Sequence, residues 1–366
     1  MSDSSDGVDA RQPRPTIYDV AAACGVAAST VSRTFSRPGR VNAETAERIR
    51  RVAAEMGYRT TPVPQALSPA RSSLIALLVS DVTNPFFFEI IRGAEETASA
   101  AGYTLLIADV NESADAERKA LNRTLPLVDG IILATSRMSD SSIRVAAKQR
   151  PTVVLNRSTS DIPSVVTDNA RGMRRAVEHL ADLGHTAITY VAGPKDSWAD
   201  GIRWQAFREA TYELSLKGRR VGPFAPTQAG GLTAAHEFTK GTASALVVYN
   251  DLMAIGLMRG FARQGISVPD DVSVVGFDNI FGSDFCSPPL TTVAASLHSL
   301  GAFAVQTLLV ELRKPASTVF VPPKPLKVAL LPSQLLIRES TAPLIAPLRG
   351  DTVPDGIVDS AVAAPR

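Results

Sequence analysis

The chain has few cysteines and few histidines, and each shortage makes one class of protein unexpected. Its two cysteines, Cys24 and Cys286, lie far apart in 366 residues, so we expect both to be reduced and no disulfide framework to form. The four histidines show no metal-ligand spacing, and we predict no metal site. Long apolar runs are also lacking. None approaches the ~18 residues of a membrane span, and residues 1–15 are polar, without the apolar segment of a signal peptide. We therefore expect a cytoplasmic protein with no membrane association.

Motifs that carry catalysis are missing as well. No G-x-G-x-x-G follows the first predicted strand, and the chain has neither a Walker A loop nor a G-x-S-x-G sequence. Aspartates and glutamates are scattered along predicted helices, where a solvated face explains them. We therefore expect no enzyme and no cofactor, and ligand binding becomes the open question.

The stretch Thr16–Ser36 (TIYDVAAACGVAASTVSRTFS) has the pattern of two short helices joined by a tight turn. Thr16 as N-cap, with Asp19 three residues later, forms a capping box, and Gly25 can end the first helix in a left-handed conformation. The second helix, roughly Ala28–Ser36, has one apolar and one polar face. This layout predicts a helix-turn-helix, whose second helix lies in the DNA major groove. A small helical hairpin without a DNA-binding role has the same spacing.

The following residues favour the DNA-binding interpretation. Asn42 can cap a third helix, Ala43–Met56, with an apolar stripe that would complete a small three-helix core. From Arg11 to Arg71 there are ten basic and four acidic residues, a net charge of +6, whereas the whole chain carries only +2. Positive charge gathered beside a helix-turn-helix is suited to neutralising DNA phosphates.

The order Tyr18-Asp19-Val20-Ala21, Gly25-Val26 and Thr30-Val31-Ser32-Arg33 resembles the headpiece of the lactose-repressor (LacI/GalR) family of transcriptional regulators. The similarity extends to about Ser340. It implies a homodimer that binds a palindromic double-stranded DNA operator, with Arg33 dominating base readout. The residues that we expect at the DNA are Thr16, Tyr18, Ala28, Ser29, Thr30, Ser32, Arg33, Arg40, Asn42 and Leu67.

Residues 60–73 (TTPVPQALSPARSS) are rich in Pro, Ser and Thr and indicate a linker. In the family this segment forms a hinge helix whose leucine, here Leu67, wedges into the minor groove. Pro62 and Pro64 depart from the family pattern, although both would fall in the first helical turn, where a missing N–H costs little. A passive polyproline-like spacer is the alternative.

From residue 74 onward, apolar runs suited to buried parallel strands alternate with helical stretches. The runs are 73–80, 103–109, 130–136 and 151–156 in the first half, and 186–193, 244–250 and 272–278 in the second. The predicted fold class is α/β, with an all-α helix-turn-helix headpiece and a periplasmic-binding-protein-like core of two Rossmann-like lobes. The predicted divisions are a disordered N-terminus (1–15), the headpiece (16–59), the hinge linker (60–73), the core (74–340) and a disordered tail (341–366). The tail has no leucine heptads for tetramerisation, so we expect a dimer.

Open α/β sheets bind ligands beyond the carboxyl ends of their strands, and several polar or aromatic residues stand there. Asp81, Phe86 and Phe87 belong to a segment that resembles the family's D-x-x-N-P-F-F motif, and Arg203 and Asp278 match its effector-binding arginine and aspartate. The aromatic residues could instead pack between the lobes, and Arg203 and Asp278 could simply pair with each other. The predicted effector site comprises Asp81, Phe86, Phe87, Asn156, Ser197, Trp198, Arg203, Asn250 and Asp278.

The sequence thus predicts a DNA-binding repressor controlled by a small-molecule effector, a sugar in preference to a phosphorylated ligand. A sugar-binding protein of the periplasmic type would explain the two lobes. It would not explain the basic headpiece.

Overall fold

The computed structural model describes residues 15–36, 39–56, 58, 72–238, 243–313 and 328–344. The chain separates into two compact units, one ending at Ala70 and the other beginning at Arg71. Residues 1–14, residues 59–71 of the hinge region with Leu67, and residues 345–366 of the tail lie outside the described residues. Among the described helices, none is long and apolar enough to cross a membrane.

The first unit contains the three predicted helices: α1 (Ile17–Cys24), α2 (Ala28–Ser36) and α3 (Ala43–Glu55). The backbone N–H of Thr16 donates to Asp19 Oδ2 at 2.6 Å, and Gly25 ends α1 with a φ of 60°. The side chain of Asn42 accepts the N–H of Glu44 at 2.9 Å at the start of α3. The three helices share one core, formed by Val20, Ala21, Cys24, Val31, Ile49 and Ala53.

The second unit begins with a βαβ series that forms most of the first lobe. Its elements are β1 (Leu74–Val79), α4 (Phe86–Ala100), β2 (Thr104–Asp109), α5 (Ala114–Thr124), β3 (Gly130–Ala134), α6 (Asp140–Ala147), β4 (Thr152–Leu155) and β5 (Ser164–Thr167). Because the strands are parallel and covered on both faces, β1, β3, β4 and β5 are almost wholly buried.

A second series of the same kind forms most of the second lobe. Its elements are α7 (Asn169–Asp182), β6 (Ala187–Val191), α8 (Trp198–Glu213), β7 (Lys217–Val221), α9 (Gln228–Glu237), β8 (Ala245–Val248), α10 (Asp251–Arg263), β9 (Ser273–Asp278) and β10 (Thr291–Ala295). The remaining elements are α11 (Leu297–Arg313), β11 (Ala329–Leu331) and β12 (Ser333–Leu336).

The chain crosses between the lobes three times. It passes from β5 to α7, returns from β10 to α11, which packs on the core of the first lobe, and crosses again between β11 and β12. The described residues therefore form two six-stranded sheets, ordered β11-β5-β4-β3-β1-β2 and β12-β10-β9-β8-β6-β7. Every strand pair is parallel except β10 with β12. The predicted two-lobed core is confirmed.

Five of the described strands were not predicted: β5, β7, β10, β11 and β12, of which the last two have only three and four residues. The strand β7 (KGRRV) lies at a sheet edge and is largely exposed, so it lacks an apolar run. The strands β5 (SVVT) and β10 (TTVAA) are buried but short, and their threonines, serine and alanines weaken the apolar signal. The third helix ends at Glu55 rather than Met56, which forms its C-cap.

Candidate functional site

The second helix of the headpiece presents a polar face. Ser29, Ser32 and Arg33 are exposed, whereas Val31 is completely buried in the three-helix core. The hydroxyl of Thr34, on the buried face, donates to the carbonyl of Thr30 at 2.9 Å. A short helix with this division can lie with one face on its own domain and the other in a DNA groove.

The other predicted DNA-binding residues of the headpiece lie on α2 or before and after it in the sequence. Tyr18 is 72% exposed, and Arg40 is also exposed. Ala28 and Thr30 are half-buried. Thr16 and Asn42 cap α1 and α3, respectively, and are exposed themselves. The exposure of these residues is compatible with DNA contact.

A narrow cavity with about 20 Å³ of free space lies between the two lobes, at the carboxyl ends of strands from both sheets. The first lobe contributes Asn84, Phe86, Phe87, Glu112, Thr135, Arg137 and Asn156, and the second contributes Arg203, Pro226, Tyr249, Asn250 and Asp278. The cavity is therefore closed by residues that lie far apart in sequence, as the strand-end rule predicts.

Six of the nine predicted effector residues line this cavity: Phe86, Phe87, Asn156, Arg203, Asn250 and Asp278. The other three do not. Asp81 accepts hydrogen bonds from Thr83 in its own turn, and Ser197 lies behind the wall, 2.9 Å from the hydroxyl of Tyr249. Trp198 begins α8 half-buried, while Ala199, Asp200 and Arg203 form the buried face of that helix. Trp198 therefore does not line the cavity, and its contact with the effector stays a prediction.

The guanidinium of Arg203 joins several elements around the cavity. Its Nε donates to Asn169 Oδ1 at 2.8 Å, its Nη1 to the carbonyl of Tyr249, and its Nη2 to Asp278 Oδ1 at 3.0 Å. Its Cζ lies 3.5 Å from the ring centroid of Phe277. The alternative that Arg203 and Asp278 pair with each other is thus realised, although both line the cavity. A guanidinium has five N–H groups, so two remain for ligand oxygens.

The carboxyl group of Asp278 titrates in an unusual range. Burial raises its pKa to about 7; the nearby Asp251 adds to the rise, and Arg203 opposes it. Burial also raises the pKa of Asp251 to about 6, despite hydrogen bonds from Ser283, Thr292 and the Ile280 N–H. The second-lobe wall therefore contains a carboxyl that exchanges a proton near neutral pH.

Glu112, Arg137 and Tyr249 are cavity residues that sequence reasoning missed. Arg137 donates from Nε and Nη2 to Glu112 Oε2 at 2.7 and 2.5 Å. Burial by itself would lower the pKa of Arg137, but the proximity of Tyr249 and Glu112 raises it above its ordinary value. Because Arg137 belongs to the first lobe and Tyr249 to the second, this group spans the cavity. All three residues follow strands, but strand ends also hold many residues without a role.

One residue of the cavity lining has an unpaired acceptor. Asn156 is 5% exposed, and its Oδ1 has no hydrogen-bond partner among the described residues. Asn156 also has a φ of 56°, and the lining residues Glu112, Thr135 and Asp278 share the left-handed region, with φ of 54°, 57° and 108°. Such conformations cost about 1–3 kcal/mol each and gather at ligand sites.

Two aromatic rings form the first-lobe portion of the apolar cavity lining. Phe86 and Phe87 are nearly buried, with ring centroids 5.1 Å apart and planes almost perpendicular, whereas Phe88 is 46% exposed. Both buried rings belong to the core of the first lobe as well as to the cavity. They therefore serve in packing and can still provide an apolar surface for a ligand ring.

Comparison with protein families gives two matches. Residues 16–61 match the model of bacterial regulatory proteins of the lacI family, and residues 177–341 match that of a periplasmic binding protein-like domain. The chain is 32% identical over 341 residues to the transcriptional regulator DegA of Bacillus subtilis, covering 90% of this chain and 99% of DegA. It is 33% identical over 312 residues to the repressor CytR of Escherichia coli, covering 80% of this chain and 89% of CytR.

Solved structures show the same similarity in three dimensions. The Lac repressor dimer bound to operator and the anti-inducer ONPF has a TM-score of 0.76 and 28% identity, over 90% of this chain and all of that one. A LacI family regulator from Enterococcus faecium with bound ribose has a TM-score of 0.65 and 31% identity, over 74% of this chain and all of that one.

Proposed function

This chain belongs to the LacI family of bacterial regulatory proteins, and we propose that it is a homodimeric repressor whose affinity for a palindromic operator is controlled by a sugar. It is a DNA-binding transcriptional regulator, as its relatives are. The observation that carries the proposal is the union, in one chain, of a headpiece with an exposed recognition face and a two-lobed cavity lined by groups that match hydroxyls.

In the DNA-binding half of the proposal, α2 enters the major groove of each operator half-site. Ser29 and Arg33 are exposed on this helix, and Ala28 is half-exposed beside them. Alanine offers a methyl contact and serine a hydroxyl of little selectivity, so Arg33 supplies the discriminating contact with a base edge. Leu67 is proposed as the minor-groove wedge of the hinge.

In the ligand-binding half, the lobes move apart to admit a sugar, because the free space of about 20 Å³ between them holds only about one water molecule. The residues that line this space offer the sugar donors, acceptors and an apolar surface. Arg203 retains two N–H groups, Asp278 is an acceptor, and Asn156 Oδ1 is buried without a partner. Phe86 and Phe87 can pack against the ring of the sugar. Bound ribose in the Enterococcus faecium relative supports this class of ligand.

Control of DNA affinity requires that the sugar bind one lobe arrangement more tightly than the other, because a ligand shifts an equilibrium only by its differential affinity. The three crossovers between the lobes form the natural hinge for such a change. Residues from both lobes line the cavity, so a change in their relative position alters the contacts that a ligand makes.

For the dimer, an exposed aromatic patch on the second lobe is the surface that we propose to be covered. Phe281 and Phe285 are 74% and 66% exposed, with ring centroids 5.0 Å apart. Large exposed apolar side chains in contact with each other are characteristic of interaction sites. The Lac repressor structure, also a dimer, supports this assembly. A protein that acts on operator DNA is proposed to work in the cytoplasm.

The proposal is tested by selecting a site for the full-length chain from random DNA, followed by anisotropy titrations. We expect a palindrome, and about a 10³–10⁵-fold loss of affinity between 50 and 200 mM salt if each dimer makes around 6–10 phosphate contacts. A panel of sugars is then added to the complex, and one of them should change the operator affinity. If no palindrome is selected, or if affinity does not depend on salt, the DNA-binding half of the proposal is contradicted. If no sugar changes the operator affinity, the ligand-binding half is contradicted.

A further inference from the structure

The cavity contains two buried arginines, and each is matched by one carboxylate. Arg137 binds Glu112 in the first lobe, and Arg203 binds Asp278 in the second. The side chains of Arg137 and Arg203 are 6% and 3% exposed, so water screens them little. The site therefore holds strong hydrogen-bonding groups without an excess of positive charge.

Arg137 is fixed in place from behind. Its backbone N–H donates to Glu117 Oε2 at 2.9 Å, and Arg157 donates to the carbonyls of Ser136 and Met138 at 3.0 and 2.7 Å. The loop that carries Arg137 is therefore held on both sides. The guanidinium itself is held by Glu112 and by Tyr249 of the second lobe.

An anionic ligand would bind weakly beside Arg137 and Glu112. Anions bind arginine best through two parallel N–H···O bonds, and Glu112 already takes the Nε–Nη2 edge of Arg137, which leaves only the Nη1–Nη2 edge for a ligand. The anion would also lie near the carboxylate of Glu112, and like charges brought together at a buried site repel strongly.

A hydroxyl-rich neutral ligand fits the same wall. The carboxylate of Glu112 and the unpartnered Oδ1 of Asn156 both need donors, and a hydroxyl group can donate to either while accepting from an arginine. A phosphate dianion has acceptors only. The unpaired acceptor of Asn156 and the neutralised charge of Arg137 are separate observations, and both favour an uncharged ligand that carries hydroxyl groups.

We propose that Glu112 is a specificity-determining residue, which cancels the charge of Arg137 and so restricts the cavity to uncharged, hydroxyl-bearing ligands. The inference rests on the proposed function, because it concerns the same sugar site. It predicts that removing the charge of Glu112 admits phosphorylated sugars.

The test measures thermal shifts and calorimetric affinities of the full-length chain with ribose, glucose, galactose and fructose, each beside its phosphate monoester. In the unmodified protein, the neutral member of a binding pair should bind at least tenfold more tightly than its ester. In Glu112→Gln this ratio should fall at least tenfold, with the ester gaining affinity. Glu95→Gln is the matched control, because it removes one exposed negative charge from the same lobe outside the cavity lining.

Arg137→Gln is the converse variant and should disfavour the ester further; it decides the matter if Glu112→Gln does not fold by circular dichroism. The proposal is overturned if the ester binds the unmodified protein as tightly as the sugar, or if the cavity variants change the ratio no more than Glu95→Gln does. Binding of a sugar in those cases would leave the proposed function intact. Failure of every sugar and ester to bind would overturn the proposed sugar effector and this inference together.

Discussion

Replacing Arg203 by alanine removes the side chain that joins the most groups around the cavity. The change deletes hydrogen bonds to Asn169, the carbonyl of Tyr249 and Asp278, and it leaves the Asp278 carboxyl 5% exposed without its cationic partner. Two consequences follow, one for the stability of the second unit and one for the binding of the ligand.

The magnitudes can be worked from these contacts. At a pH above about 7, where Asp278 is ionised, breaking the buried ion pair by removing one partner costs about 3–5 kcal/mol of folding free energy. A hydrogen bond from a charged group to the ligand contributes about 1.5–3 kcal/mol, which is roughly a 10- to 150-fold change in affinity. The headpiece is a separate compact unit with its own core, so operator binding should persist below the melting temperature.

The assay combines thermal unfolding, operator titration and effector titration of Arg203→Ala, Asp278→Ala and the double variant. The double variant should cost less stability than the sum of the single variants, because no carboxylate is left unpaired, yet it should not regain effector response. The reasoning is refuted if Arg203→Ala responds to effector with an unmoved midpoint. It is equally refuted if the single-variant losses of stability are additive.

Further predictions concern the DNA-binding surface, the dimer and the pH response. Arg33→Ala should weaken operator binding by about 1–3 kcal/mol and relax the preference at one base pair per half-site, whereas uniform weakening in a site selection would assign Arg33 to phosphate. Leu67→Ser should lower specific binding and DNA bending but spare nonspecific binding; unchanged bending would make the hinge a spacer. Phe285→Asp should shift the dimer towards monomer in sedimentation, and an unaltered dimer would place the interface elsewhere. Since the pKa of Asp278 is raised from 3.8 to about 7, the native state between these values holds a proton that the unfolded chain has lost. The free energy of unfolding should therefore fall as pH rises through this window, by up to about 1.4 kcal/mol per unit, and Asp278→Asn should remove that slope; parallel profiles would show that the native carboxyl is already ionised.

The parts of the fold that sequence predicted are those in which a local pattern coincides with burial. The strand LIALLV (β1) is almost wholly buried between helices, so its apolar run identifies it directly. The headpiece was predictable because Thr16 and Asn42 cap the starts of helices and Gly25 caps the end of one. Capping depends only on residues a few positions away in the sequence. The strand β7 escaped because its pairing with β6, not its composition, makes it a strand.

The cavity was predictable in place and only partly in detail. The resemblance to the family identified Arg203 and Asp278, and the strand-end rule placed them at one cleft; they are 75 residues apart in sequence and 3.0 Å apart in the structure. The rule could not indicate that Glu112 would neutralise Arg137, because that pair depends on how two loops of one lobe meet. The positioning of Tyr249 depends on tertiary packing in the same way: a Cβ on Gly193 would lie 2.4 Å from its ring, so glycine is required there. No spacing in the sequence reports that contact.

The central claim, that one ligand in the cavity controls operator binding, is tested most directly by measuring both halves of a thermodynamic linkage. The sugar affinity of the full-length protein is measured with and without saturating operator duplex, and the operator affinity with and without saturating sugar. We predict that the two affinity ratios are equal, within the roughly 5- to 150-fold range typical of coupled sites. The account would be contradicted if the operator left the sugar affinity unchanged although the same sugar alters DNA binding.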